Sequence, residues 1–257
     1  MLDFVWMRSQ AVGDRCWWPV VFLVVCMIGA SVRAADDPAA KQVAPPSNKL
    51  TVAYYDFSSD REGLDVNLRH TFASSTAWVG FYGQSDRFNQ ARAGYEYDYH
   101  HGWLTFVPSV QAASHGFVGA TVYGEAGRRC FGIAGAGRTN LQQYWNLGFD
   151  PNDYVQIGAG CRDSSGNTIS VSTIHDNRLG TGQTNTHVFV RRHLPRQWRL
   201  TLDAVNERGT GDEGLVVRSW AVSVDADWRR WFIRVAEDPH VNYRPDRQIR
   251  VATGVRF

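Results

Sequence analysis

Lysine is almost missing: the 257-residue chain has two, Lys41 and Lys49, and every other permanent side-chain cation is arginine. The formal charge is only +2, with acids and bases interspersed. There is thus no basic tail or stripe of the kind that tracks a nucleic-acid backbone. Beyond the N-terminus no apolar run approaches the roughly 20 residues of a membrane helix, and mean hydropathy is −0.33. A mature protein built from membrane helices is excluded. Helical periodicity is also almost absent from residue 50 onward. The composition of a disordered chain is absent too, because 44% of the residues are hydrophobic and 13% aromatic. Cysteine is sparse, with four residues in all.

What is present begins with a targeting pattern. Arg8 and Arg15 precede an apolar stretch from Trp17 to Ala30, and Val32-x-Ala34 fits a cleavage site. Residues 1–34 are therefore expected to be a signal peptide. Residues 35–49 are Pro/Ala-rich without apolar period and read as a periplasmic linker. Cys16 and Cys26 would leave with the signal. Cys130 and Cys161 would remain in an oxidising compartment that permits a disulfide.

From Leu50 to Phe257 the chain falls into about fourteen segments of alternating polarity. In Trp198–Ala204 the even positions are apolar and the odd ones polar. From Val216 to Trp228 the even positions again carry the apolar set, with Arg218 the exception. Trp231, Ile233 and Val235 oppose Arg234, with Phe232 breaking the contrast. Ile249, Val251, Val255 and Phe257 oppose Gln248, Arg250 and Arg256. Side chains alternate faces along a strand, so each strand has one apolar face and one ionic face. Connections after even-numbered segments are tight: Ser74-Ser75, His101, Gly127-Arg128, Asp163-Ser164, Pro195-Arg196 and Arg229-Arg230. Several after odd-numbered segments are longer: 140–151, 176–182, 208–213 and 240–246. Short turns on one rim and long loops on the other suit a transmembrane barrel. Phe72, Tyr99, Trp103, Trp198, Trp228, Trp231 and Phe257 fall at the tight-turn rim, where a membrane interface favours aromatics. The reading is an all-β, antiparallel transmembrane β-barrel over 50–257, with about fourteen strands and twelve as the lower count.

The last segment, Arg247–Phe257, resembles the C-terminal strand of Gram-negative outer-membrane β-barrels. The resemblance implies that the assembly machinery reads Phe257 and that the partners include outer-membrane lipid. Tyr54–Arg61 is similar to the start of YaiO-like outer-membrane barrels.

The polar face supplies the candidate chemistry. Its expected lumen charges are Arg69, Arg92, Glu96, Asp98, Arg191, Arg199, Asp203, Asp225, Arg234, Arg250 and Arg256. The tight turn at Arg229-Arg230 would set Asp225 opposite Arg234. Two readings stay open: the charges fill a closed lumen, or they screen solutes in a porin-like water-filled channel, for which fourteen strands leave room. Cys130 and Cys161 come close in a hairpin. If Phe131 and Ile133 face lipid as Val155 and Ile157 do, however, the two sulfurs point apart. Loop 140–151, with Tyr144 and Trp145, could enter the lumen or cap the mouth.

His175 invites comparison with outer-membrane lipid-modifying enzymes, which resemble one another in a His and a Ser two residues apart on a lipid-facing strand. Here the residue two after His175 is Asn177, and Ser172 falls on the opposite face, so no catalytic residue is assigned. His70, His100, His101, His187 and His193 have no paired metal spacing, and Gly135-Ala136-Gly137 lies within a strand rather than before a helix. No cofactor or metal is implied. The expected function is a passive pore for small polar or charged solutes, oligosaccharides included. The alternatives are a non-conducting surface barrel linked to envelope polysaccharide handling and a lipid-modifying enzyme.

Overall fold

Alternating polarity produces strands almost without interruption. The computed structural model describes residues 47–85, 88–211 and 214–257. The expected signal peptide and all but the end of the expected linker lie outside the described residues. The strands are β1 (Asn48–Phe57), β2 (Glu62–Phe72), β3 (Ser75–Gln84), β4 (Asn89–Tyr97), β5 (Tyr99–His101), β6 (Leu104–Ala113), β7 (Phe117–Gly127) and β8 (Cys130–Thr139). They continue with β9 (Tyr154–Arg162), β10 (Thr168–Asp176), β11 (Thr184–Leu194), β12 (Trp198–Thr210), β13 (Val216–Trp228), β14 (Trp231–Asp238) and β15 (Gln248–Arg256).

Apart from β4 and β5, each strand pairs antiparallel with its sequence neighbour, and β4 with β6 and β1 with β15, so the sheet closes. The fifteen segments make fourteen staves, because β4 and β5 are one stave. Both pair with β6 in the same register, Glu96 opposite Ser109 and Tyr99 opposite Phe106. That register sets Tyr97 against Pro108, which has no N–H to give the ladder. The missing bond explains the break at Asp98. A closed ring pairs the strand backbone without water, as a structure in lipid must.

The two faces separate as the alternation predicts. Trp231, Ile233 and Val235 point outward, each about half exposed, while Phe232, Arg234 and Ala236 point in. Asp225 lies opposite Arg234 and bonds it, Nη2 to Oδ2 at 2.7 Å. Phe232 breaks the pattern for a reason: it faces inward beneath two cations, Lys49 Nζ at 4.6 Å and the Arg256 guanidinium at 5.0 Å from its ring centre. The seven aromatics expected at the tight-turn rim are all exposed there, and Trp198 stacks on Trp228 at 6.0 Å. In those turns Ala73, Gly102, Arg196 and Arg229 take positive φ, as two- and three-residue hairpin loops require.

Several boundaries are corrected. β1 starts at Asn48, so Asn48 and Lys49 belong to the barrel, not the linker. His100 and His101 are strand residues, and the turn falls at Gly102-Trp103. The connection expected to be tight at Asp163-Ser164 runs to Asn167. The Asp163 carboxylate accepts the backbone N–H groups of Ser165 and Asn167 and thereby builds a longer turn.

Candidate functional site

The lumen is built from the inward positions of every stave, and it contains a loop as well. Residues 140–153, between β8 and β9, fold into the bore and are held on several walls. Trp145 is buried against inward side chains of β1, with its ring edge-on to Phe57 at 6.0 Å and near Phe88 at 6.3 Å. Gln90 of β4 clamps it twice. The Trp145 N–H donates to Gln90 Oε1 at 2.9 Å, and Gln90 Nε2 donates to the Trp145 carbonyl at 3.2 Å. Arg250 of β15 donates to the Leu147 carbonyl at 2.5 Å. On the far wall Asn185 of β11 donates to the Phe149 carbonyl at 2.6 Å, and Asp150 meets His187 Nε2 at 2.8 Å. The other ring nitrogen of His187 lies 3.1 Å from Asp203. Tyr144 stacks on Phe117 of β7 at 4.1 Å. Backbone groups withdrawn from water need partners, and here wall side chains supply several of them.

Where the loop joins β9, Asp153 accepts hydrogen bonds from Thr139 Oγ1 at 2.5 Å and from Arg178 at 2.8 Å. Burial alone would raise the Asp153 carboxyl, but these bonds outweigh it and hold the group below its ordinary range. Burial pushes the Tyr144 phenol up. At the same rim, Asp246 gathers loop 58–61. Ser58 and Ser59 donate to it through their hydroxyls at 2.9 and 3.0 Å, and Arg61 pairs with it.

The expected lumen charges mostly meet inside. Arg69 pairs with Glu96 at 3.2 Å, Arg92 with Asp65 at 2.5 Å, and Arg199 and Arg256 share Asp227 at 3.0 and 2.5 Å. Arg191 faces in beside Phe189, 5.0 Å from its ring centre. Asp98 is corrected: it sits at the break in the fourth stave, about half exposed at the rim, 3.6 Å from His100. Sequence reasoning left out Lys49, Arg162 and His187. Arg162 pairs with Glu125 at 3.0 Å and lies over Phe131 at 4.6 Å. His187 could have been found, because it shares the inward parity of Asn185 and Arg191.

Cys130 and Cys161 are directly opposed in the β8–β9 register and are bonded, on the outer face. The premise that would have separated them fails. Phe131 and Ile133 are buried in the lumen, whereas Val155 and Ile157 face out. Gly158 and Gly160 allow this packing, since a Cβ at either would strike β10, and at Gly160 the Phe131 ring as well. His175 points outward with Nδ1 2.8 Å from Thr184 Oγ1, while Ser172 points inward toward Gln156.

No protein-family model matches the chain, and no curated protein matches it in sequence, so the likeness at Tyr54–Arg61 to YaiO-like barrels gains no support there. Solved structures do match. The Acinetobacter baumannii outer membrane protein Omp33 is 8% identical, covers 84% of this chain and all of its own, and has a TM-score of 0.56. The NanC porin is 10% identical over 81% of this chain and all of its own, with a TM-score of 0.47. The KdgM porin, solved in complex with disordered oligogalacturonate, is 10% identical over 81% of this chain and 99% of its own, with a TM-score of 0.42. At such identities the likeness to Omp33 is one of fold. With its closed ring of fourteen antiparallel staves and apolar outer face, the chain has the fold of the Gram-negative outer-membrane β-barrels.

Proposed function

We propose that the protein is a passive outer-membrane pore for small polar or charged solutes, with loop 140–153 setting the width of the bore. The observation that carries this reading is the loop itself, which is pinned to β4, β15 and β11 within a charged lumen. A barrel needed only as a surface scaffold has no use for a polar strap across its interior, whereas a pore uses one to narrow the path. In this reading residues 1–34 export the chain, the tight-turn rim faces the periplasm, and the assembly machinery reads Phe257.

The test is single-channel recording of the refolded full chain in planar bilayers. Steady unitary openings are expected. The Trp145→Gly variant, which loses the buried anchor, should open to higher conductance with noisier current. Persistent silence of correctly folded protein would overturn the pore and favour the non-conducting barrel.

A further inference from the structure

Beneath loop 140–153, toward the tight-turn rim, lies a cavity of about 250 Å³ whose charged lining is lopsided. Lys49, Arg69, Arg92, Arg234 and Arg250 face it, and Asp65 is the one carboxylate among its described lining residues. Three of the cations lean on acids: Arg92 on Asp65 at 2.5 Å, Arg69 on Glu96 at 3.2 Å and Arg234 on Asp225 at 2.7 Å. For Lys49 and Arg250, no carboxylate among the described residues lies within ion-pair distance. Lys49 Nζ rests over the Phe232 ring, and Arg250 holds the Leu147 carbonyl and lies near the Tyr55 ring.

Two guanidinium nitrogens are moreover buried with no hydrogen-bond partner among the described residues. They are Nη1 of Arg92, whose side chain is 9% exposed, and Nε of Arg250. Buried donors left unpaired are unfavourable, and guanidinium forks match the paired oxygens of carboxylate and phosphate. A recess walled by one sign of charge also concentrates the opposite ion.

We propose that this cavity is a binding site for a small anion bearing carboxylate or phosphate oxygens, held by Lys49, Arg92 and Arg250 under the loop. The proposal deepens the pore reading, on which it rests for the route of entry, by naming the class of solute.

The experiment is calorimetric titration of the refolded full chain in detergent micelles with glucuronate, inorganic phosphate and glucose. At least one of the two anions should bind and glucose should not; which anion binds separates a carboxylated from a phosphorylated source. Lys49→Gln and Arg250→Gln should each weaken binding about tenfold, the size expected for one lost charge-assisted contact. Lys49 lies away from the loop anchors, so its variant tests the site even if Arg250→Gln disturbs the loop. No binding of either anion, equal binding of glucose, or undiminished binding in folded Lys49→Gln overturns the site. Anion binding with silent bilayers removes the pore and keeps the site; steady openings without anion binding do the reverse.

Discussion

Asp246 does more than its place in an outer loop would suggest. It collects hydroxyls from Ser58 and Ser59 and the charge of Arg61, whose guanidinium also lies 5.5 Å from the Trp145 ring. One carboxylate thus joins the outer ends of β1 and β15 and steadies the buried anchor of the lumen loop. Burial alone would raise its pKa, but the hydrogen bonds from Ser58, Arg61 and Ser59 prevail and depress it. A depressed native value means stability that is complete above the unfolded-chain pKa of about 3.9 and lost as pH falls through the native value. Replacement by Ala should cost about 2 kcal/mol at neutral pH, the range for hydrogen bonds to a charged group. Detergent-phase unfolding of wild type and Asp246→Asn should show a stability gap at neutral pH that closes only in strong acid. A gap that persists unchanged there would remove the carboxylate from the account.

The β8–β9 hairpin carries the covalent tie, and the chain it closes includes the whole infolded loop. Bridging residues 31 apart in sequence restricts the unfolded chain by about 3–4 kcal/mol in the chain-entropy picture. The Cys130→Ala/Cys161→Ala variant should therefore unfold at lower denaturant, and reductant should shift wild type by the same amount while leaving the variant unmoved. The hairpin also shows what could be read from sequence and what could not. The tight turn between β13 and β14 was legible down to register, as the Asp225–Arg234 pair demonstrates. The inward set of β8 was not, because Phe131 and Ile133 look like lipid-facing residues until Arg162 is found lying over the Phe131 ring. Aromatics that support arginines defeat a rule that treats apolar as outward. Loop 140–153 was legible only as long and aromatic. Its path depends on Gln90, Arg250 and Asn185, which come from strands far apart in sequence. Lys49 was missed for a different reason: the Pro-rich run before it masked the start of β1.

Over the whole barrel, the lipid-facing and solvent-facing surfaces have changed places relative to a water-soluble domain. Ile157, near the middle of β9, is 73% exposed, a burial error in water but the preferred state in hydrocarbon. Ile157→Arg should cost about 2–4 kcal/mol if that position lies near the bilayer midplane, measured by denaturant unfolding from vesicles. An unaltered stability would show that this face does not meet lipid. The ring also closes through β1 and β15, with Lys49 set beside Arg256 and Asp56 beside Ile249. Its opening strand has to wait for its final one. Until β15 has docked on β1, both edges of the open sheet stay unsatisfied and open to pairing with another copy. A chain that has formed every stave but the last is therefore still an open sheet with two bare edges, and only the β1–β15 ladder removes them.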